Sequence, residues 1–598
     1  MRKYNSREEV EEKYKWNLKD FFENEKSFND TLVKCQELIS ELKEYVGCTK
    51  NPHKLYEYLE KEINVIALWE DLYVYAYLIN DQELGKEESL IRKNKTEKLN
   101  IELEINTSFF APELLKLSKE EYNKLFEQEE KLLKFKASLD RIYREKEHIL
   151  TENEEMIISS LINSMNHFDD ISSTLLNTLH DYGKVTINNE KITIATNNYS
   201  HLMKNADKEV RKKVRNNFNK QIDKYSTTNA MLLSSYVSMN DTIAKIRHYD
   251  SSWDQKMYNT NLETEIFKTL VDTTEDNLDV LQRYYKLKKD VLKLDVLTSY
   301  DLGLELANSK EEYEIEDAWE IILNAIKPLG EEYTEKFKKI FDNRYIDYCG
   351  YKGKCSGGYS FSTINHNSRI LMSYNGSLDS ISTIAHEGGH NVHHQFVKEN
   401  NPKQYRNTPS ITAEVASLTN ECLLSSYLAE HGKTKEERLA GIANILNVIT
   451  SNLFGAVREG KIEEDMYNEV HNGGVLTKEF LDNLSYNSLK KYYGTSVKND
   501  KKIKNSWVSR SHYYMNFYLY SYAISISVAS YITKGIIGND KDILDKYIKF
   551  LKVGGDKWPI EAFKILGIDL KDKNVYKEAI NYYNDMINKF YEIYNGGE

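Results

Sequence analysis

The stretch 382-STIAHEGGHNVHHQF-396 sets four histidines and one glutamate into fifteen residues of a 598-residue chain that holds only 14 His. His386, Glu387, Gly388, Gly389 and His390 spell HExxH. On a helix, residues i and i+4 stand one above the other on one face, so both imidazoles can point at one ion. Glu387 is rotated beside them. There its carboxylate can take a proton from a zinc-activated water and pass it to a leaving amine. Ile381, Ile384 and Ala385 supply a partly apolar helical face, and Asp379 or Ser380 is placed to cap it. Two adjacent glycines inside a helix cost about 1 kcal/mol each relative to Ala. That cost predicts a reason at Gly388 and Gly389: close approach of another backbone or of a substrate.

A catalytic zinc takes three protein ligands and keeps one position open. His393 and His394 lie further along the same helix and would have to reach back along its axis. The spacing HExxHxxGxxH is excluded, because His393 stands where Gly is needed and Phe396 where the last His is needed. The next helix offers acids. After Thr408 and Pro409, an N-cap and first-turn signal, the chain reads SITAEVASLTNECLLSSYLAEHG. Glu414 and Glu421 lie seven apart and share a face. Either can complete the ligand set while the other hydrogen-bonds a ligand imidazole, and spacing alone leaves the order open.

Outward from the motif the pattern is mainly α. Six Pro and 26 Gly are few for 598 residues, of which 40% are hydrophobic and 29% charged. Residues 1 to about 180 read as successive amphipathic helices, starting with a capping-box pattern at Ser6 and Glu9. Asn188 and Asn189, between alternating Val185, Ile187, Ile192 and Ile194, predict a small hairpin. Helices resume near 200, where Asp207 can cap and the run Arg211, Lys212, Lys213, Arg215 is expected to line a solvated face. Gly350, Gly353, Gly357 and Gly358 mark an irregular zone over about 345–380, in which GGYSFSTI and RILMSYNG read as short strands. Helices then continue to the end. The expected division is an N-terminal helical domain, 1–200, and a catalytic domain bearing HExxH, 201–598.

Several classes drop out. A net charge of −12 and the lack of a long Lys/Arg block oppose nucleic-acid binding. The irregular zone contains neither GxxxxGK[ST] nor GxGxxG, so it is no nucleotide cradle. Five scattered Cys predict free thiols, not a disulfide framework. The charged start MRKYNSREEVEEKYKWNL has no apolar signal core, so a cytoplasmic location is expected. The uncharged run YYMNFYLYSYAISISVASYIT after His512 is long enough to span a bilayer, but its Tyr, Ser and Asn content predicts a buried helix and no membrane span. Nothing in the sequence sets the oligomeric state.

HEGGH followed by EVASLTNE resembles the thimet oligopeptidase and oligoendopeptidase F family of zinc metallopeptidases, most nearly its oligoendopeptidase F branch. RILMSYNGSLDSISTIAHEGGH resembles that family's edge strand and turn into the zinc helix. WVSRSHYYMNFYLYSYAISI, 507–526, resembles its His/Tyr-rich C-terminal motif, and the region 185–251 ending in IAKIRHYDS is similar too. The resemblance covers most of 180–590 and implies that one Zn²⁺ is held by His386, His390 and Glu414, with Glu421 in support. The residue after HE is usually a bulkier apolar one, so Gly388 is expected to loosen the helix there. His512 matches the C-terminal motif. Tyr520 and Tyr522 are the candidates for a phenol that stabilises the oxyanion or positions the substrate, with Tyr513 and Tyr514 still open. His393 and His394 are expected to back the ligands or to pack.

The resemblance further implies a mainly α, zincin-like fold of two helical halves around a deep channel, with a small β-sheet near the active site. Such a channel would admit short unfolded oligopeptides. Their internal bonds would be hydrolysed by zinc-activated water, with Glu387 as general base and then general acid. The strand at 369–376 would pair with the extended peptide. Two other readings compete. One is a zinc exopeptidase, carboxypeptidase-like or aminopeptidase-like, which needs a fixed charge to read a peptide terminus. The other is a non-catalytic helical peptide-binding scaffold in which HExxH is accidental.

Overall fold

The computed structural model describes residues 4–151, 154, 157–158, 167–179, 181–307 and 312–596. Within the helical stretch expected up to about residue 180, residues 152–153, 155–156, 159–166 and 180 lie outside the described residues. Among the described residues the architecture is helical, and strands are confined to a two-stranded hairpin and a three-stranded sheet. The chain forms two compact units: Met1–Ile149, Lys310–Leu424 and Gly535–Gly567 make the first, and Leu150–Ser309, Ser425–Lys534 and Ile568–Glu598 the second.

This arrangement differs from a single division at residue 200, and the first unit's core gives the reason. Asn24 caps the helix Glu25–Leu42 through Ser27 N–H. Asn51, followed by Pro52 in the first turn, caps Pro52–Gln82. The apolar faces of these helices and of Glu87–Thr107 bury Phe28, Ile39, Leu55, Tyr58, Leu72 and Leu99 in one cluster. That cluster also takes in Leu371, with Tyr359 and Phe361 packed against it, from the sheet far along the chain. Polar ties reinforce the union. Arg369 is fully buried, donates to the Asn17 carbonyl and to Asp20, and lies over the rings of Phe21 and Tyr345. Thr363 and Asn365 both donate to Asp71. The N-terminal helices therefore share a core with the segment that carries HExxH. Ser6 opens only the short 3-10 turn Arg7–Glu9 and makes no side-chain cap.

The sheet of the first unit has the order Ile346–Cys349, Arg369–Tyr374, Tyr359–Phe361. Its first pair is parallel and its second antiparallel. The two expected strands are present, and Ile346–Cys349 is a third from within the irregular zone. Arg369–Tyr374 is the central strand: Ile346–Cys349 pairs along Ile370–Tyr374 on one side, and Tyr359–Phe361 pairs with Arg369–Leu371 alone on the other. The pairing with an extended peptide expected of 369–376 is therefore blocked at Arg369–Leu371, whereas Met372–Tyr374 has no strand on that side among the described residues. The two edge strands are Ile346–Cys349, buried throughout, and Tyr359–Phe361, which is half-buried.

In the second unit, Lys184–Ile187 and Glu190–Thr193 form the expected hairpin. Its turn residues Asn188 and Asn189 sit at φ 51° and 65°, the left-handed pair of a type I′ turn. Asp207 accepts from Glu209 N–H and caps the 39-residue helix Lys208–Ile246. Arg211, expected in solvent, is buried instead. Its guanidinium meets Asp301 at 2.6 Å and the carbonyls of Asn205 and Ala206. The uncharged run after His512 enters the helix Leu519–Ile537, where buried Ser525 and Ser527 donate back to the carbonyls of Ser521 and Ala523. Among the described residues one run, Lys435–His471, has the length and composition to cross a bilayer, and 61% of its most apolar 18-residue window is buried within the protein. Arg458, Glu459 and Glu463 lie inside that run and are buried.

Candidate metal centre and the cavity of the second unit

The motif helix spans Leu378–Asn400 and the helix facing it spans Ser410–His431. The cap of the first is Ser377, not Asp379 or Ser380: its hydroxyl accepts from Ser380 N–H at 3.3 Å. Pro409 sits just ahead of the second, its carbonyl accepting from Thr412 and Ala413 N–H.

These two helices bring His386, His390 and Glu414 together, with one ligand atom of each within 4.8 Å of the others. Glu414 Oε2 lies 3.8 Å from His386 Nε2 and 3.9 Å from His390 Nε2. Ligand atoms bound to a tetrahedral zinc at about 2.0–2.2 Å stand roughly 3.4 Å apart, so the set needs only a small contraction. Two imidazoles and one carboxylate are a donor set that fits zinc with one position open. Glu421 does not join them. Its Oε1 accepts from His386 Nδ1–H at 2.6 Å, which leaves Nε2 to face the ion, and its Oε2 accepts from Ser382 at 3.0 Å. His390 hydrogen-bonds to the Ala413 backbone. Ser417 donates to Glu414 Oε2 at 3.3 Å. Asn420 donates to the Ala385 carbonyl and accepts from Tyr333, which ties the helices together beside the site.

The electrostatics follow from burial and close charges. Burial lowers the His386 imidazole, but the Glu421 hydrogen bond and carboxylate outweigh it and raise it to about 9. Burial raises the Glu387 carboxyl to about 7 against the opposing pull of His386. Burial also raises Glu414, and it depresses His390 together with the neighbouring His386. A divalent ion in this acid-rich pocket would favour carboxylates and neutral imidazoles.

Gly388 and Gly389 have separate steric reasons. A Cβ on Gly389 would lie 2.7 Å from Ser417 Cα and 2.9 Å from the Ala416 carbonyl of the facing helix. A Cβ on Gly388 would lie 2.5 Å from Phe337 Cζ. Phe337 comes from the helix Glu331–Asp342 and is fully buried, so the space at Gly388 is filled by a ring and the expected loosening does not occur. Gly358 leads into the edge strand beside the Glu387 carboxylate, and a Cβ on it would lie 3.9 Å from Glu387 Oε1. His393 packs, its ring stacked on Phe550 at 6.2 Å, and burial depresses its imidazole to about 4. His394 reaches the His366 carbonyl at 3.2 Å.

No sequence motif marks Ser382 or Ser417, although each lies one turn from a candidate ligand, His386 and Glu414 respectively, on the same face, where helical spacing points to it. Phe337 carries no such signal.

His512, Tyr520 and Tyr522 belong to the second unit. His512 and Tyr522 line one cavity of about 560 Å³, their rings 6.0 Å apart. Burial, with Arg510 nearby, lowers the His512 imidazole. Tyr520 points elsewhere. It is buried with its ring edge-on to Trp253 and Phe267 and its hydroxyl beside Thr260. Tyr513 donates to buried Glu459, and the Tyr514 ring packs on Tyr236. Of the four phenols, Tyr522 alone lines this cavity with His512.

A family model described as Peptidase family M3 matches residues 201–582, and one described as Oligopeptidase F matches 113–179. Oligopeptidase PepF of Bacillus subtilis is 30% identical over 98% of this chain and 88% of its own length. An oligoendopeptidase F homolog of Borreliella burgdorferi is 30% identical over 98% of this chain and 100% of its own. The crystal structure of oligoendopeptidase-F from Enterococcus faecium superposes with a TM-score of 0.74 at 25% identity, over 95% of this chain and 99% of that one.

Proposed function

The chain belongs to peptidase family M3, in its oligoendopeptidase F branch, and from that premise we propose that it is a zinc metalloendopeptidase cutting internal bonds of short unfolded oligopeptides. It is a metallopeptidase, and its substrates are peptides. The observation that carries the finer reading is the convergence of His386, His390 and Glu414, with buried Glu387 in the same helix turn and no role among the three.

When bound, zinc supplies Lewis acidity toward water and the scissile carbonyl. Glu421 holds the His386 Nδ1 proton and so fixes the tautomer that binds metal. The Glu387 carboxylate accepts the proton of the attacking water and delivers it to the leaving nitrogen. Tyr359–Phe361, the edge strand that begins beside Glu387, offers backbone N–H and C=O groups to an extended peptide. The resemblance of 507–526 to the family's His/Tyr-rich motif assigns His512 and Tyr522 to the substrate and its oxyanion, and both line the cavity of the second unit.

A quenched peptide acetylated at its N-terminus and amidated at its C-terminus tests this. It should be cut at an interior bond, a strong chelator should abolish cutting, and zinc should restore it. Release of terminal residues from free-ended peptides only would mark an exopeptidase. A protein without zinc or cleavage would be a binding scaffold.

The two phenols separate in the same assay. Tyr522→Phe should lower kcat by about 10²-fold, the scale of one oxyanion donor. Tyr520→Phe keeps the ring that Trp253 and Phe267 pack on and should stay near wild type. Equal losses in both variants would remove the assignment of Tyr522.

A further inference from the structure

The cavity that carries His512 and Tyr522 also holds Lys288, Arg458 and Arg510, against one acid, Glu459. Glu459 is already saturated. Arg458 and the Tyr513 hydroxyl both bond its carboxylate, and Arg510 Nε sits 3.1 Å from it. Burial pushes the Glu459 carboxyl up, but these cations outweigh it and hold it below the ordinary value. Two more acids, Glu305 and Asp301, stand close enough to act on Lys288. Each has its own cation: Glu305 meets Lys204 at 2.6 Å and Asp301 meets Arg211 at 2.6 Å. Positive charge is thus left over on this wall.

The left-over donors can be named. Arg458 is buried and its Nη1 has no hydrogen-bond partner among the described residues. Arg510 is engaged through Nε, with no protein acceptor on its two terminal nitrogens among the described residues, and its side chain is 48% exposed. Lys288 is buried and donates to the Leu302 carbonyl at 2.6 Å. A buried cation with unused donors is costly unless an anion meets it. Arginines present the planar fork that suits a carboxylate.

We propose that this cavity is a subsite for a carboxylate of the peptide substrate, terminal or side-chain, received by Arg510 and Arg458 with Lys288 behind them. The proposal rests on the endopeptidase reading, because His512 and Tyr522 on the same wall are there assigned to the substrate. It adds a selectivity: peptides bearing a suitably placed carboxylate bind better than their neutral counterparts.

The test uses the zinc-loaded protein and one cleavable sequence in four forms: C-terminal acid, C-terminal amide, and amides with Glu or Gln at an interior position stepped along the peptide. A carboxylate-bearing form should show a KM lower by roughly tenfold or more, the factor carried by a charge-assisted hydrogen bond, and the advantage should shrink with salt. The acid-to-amide pair and the Glu-to-Gln pairs tell a terminal from a side-chain source. In Arg458→Met and Arg510→Gln the ratio between charged and neutral forms should fall to about one. Arg510→Gln changes a half-exposed side chain and keeps the test open if Arg458→Met does not fold. Fluorescence anisotropy of the same peptides reads the preference directly as Kd. Tighter binding of the charged forms without any cutting would therefore uphold the subsite and overturn the endopeptidase reading. Equal KM and Kd for all four forms in the wild type, or an undiminished preference in Arg510→Gln, would overturn the subsite.

Discussion

Glu387→Gln should retain zinc and lose cleavage, with kcat reduced by about 10²- to 10⁴-fold, the range attributed to a positioned general acid–base. The substitution is nearly isosteric and Glu387 is not among the three converging ligand residues, so the site should still assemble. What disappears is the only carboxylate in the motif turn that can accept a proton without giving up a ligand role. Glutamine can still hydrogen-bond a water but takes no proton from it. The loss should fall on kcat, with KM within a few-fold, because the contacts proposed for the substrate are made by other residues. Burial, helped by the Glu414 and Glu421 carboxylates and opposed by His386, holds the Glu387 carboxyl at about 7, and a bound divalent ion would draw it down. The base must be ionised, so wild-type activity should fall as pH drops through a value below about 7. That acid limb should be missing from the residual activity of the variant. Metal content by mass spectrometry and steady-state kinetics decide the matter. Full activity with Gln would end the assignment, and an apo protein would turn Glu387 into a determinant of metal binding.

The sequence told more about this site than about the body that holds it. HExxH lies within one helix, so its spacing alone places His386 and His390 on one face. Glu414 and Glu421 were equally plausible by spacing, because both lie on one face of the facing helix. Their order depends on the depth at which that helix docks, which is a tertiary quantity. In the structure Glu414 reaches the Nε2 side and Glu421 the Nδ1 side of His386. The Asn188–Asn189 turn was legible because two left-handed residues in a row call for Asn or Gly. Arg211 was misread because its neighbours Lys212, Lys213 and Arg215 form a charged run, while the acid that buries it, Asp301, is ninety positions away. The interleaving of the two units was hidden for the same reason. A strand residue such as Leu371 shows that it is apolar, not that its partners are helices hundreds of residues earlier. The glycine pair gave a true signal of close approach but could not say what approaches.

Gly389→Ala should be the most damaging single-methyl change in the site, and its sign makes it diagnostic. In an unconstrained helix, Gly to Ala stabilises by about 1 kcal/mol. Here the new Cβ would lie 2.7 Å from Ser417 Cα and 2.9 Å from the Ala416 carbonyl, where ordinary contact is 3.4–4 Å. Those atoms are backbone of a fully buried stretch, so no rotamer can relieve the clash and the helices must separate. The facing helix carries Glu414 three residues before Ser417 and Glu421 four after it. A separation of several tenths of an ångström therefore moves both acids, while metal–ligand distances tolerate only about 0.2 Å. Zinc affinity should drop by at least the 10- to 100-fold typical of a lost supporting contact, and stability should fall by about 1–3 kcal/mol as in other overpacked cores. Gly388→Ala supplies the contrast. Its Cβ meets the Phe337 ring, a side chain, so the stability lost in that variant should be largely recovered in the double variant with Phe337→Leu. Competition with a chelating dye for zinc, and thermal melts of the single and double variants, measure both effects. A Gly389→Ala protein with native zinc affinity and a raised Tm would show that the two helices are not held at the distance on which the metal site depends.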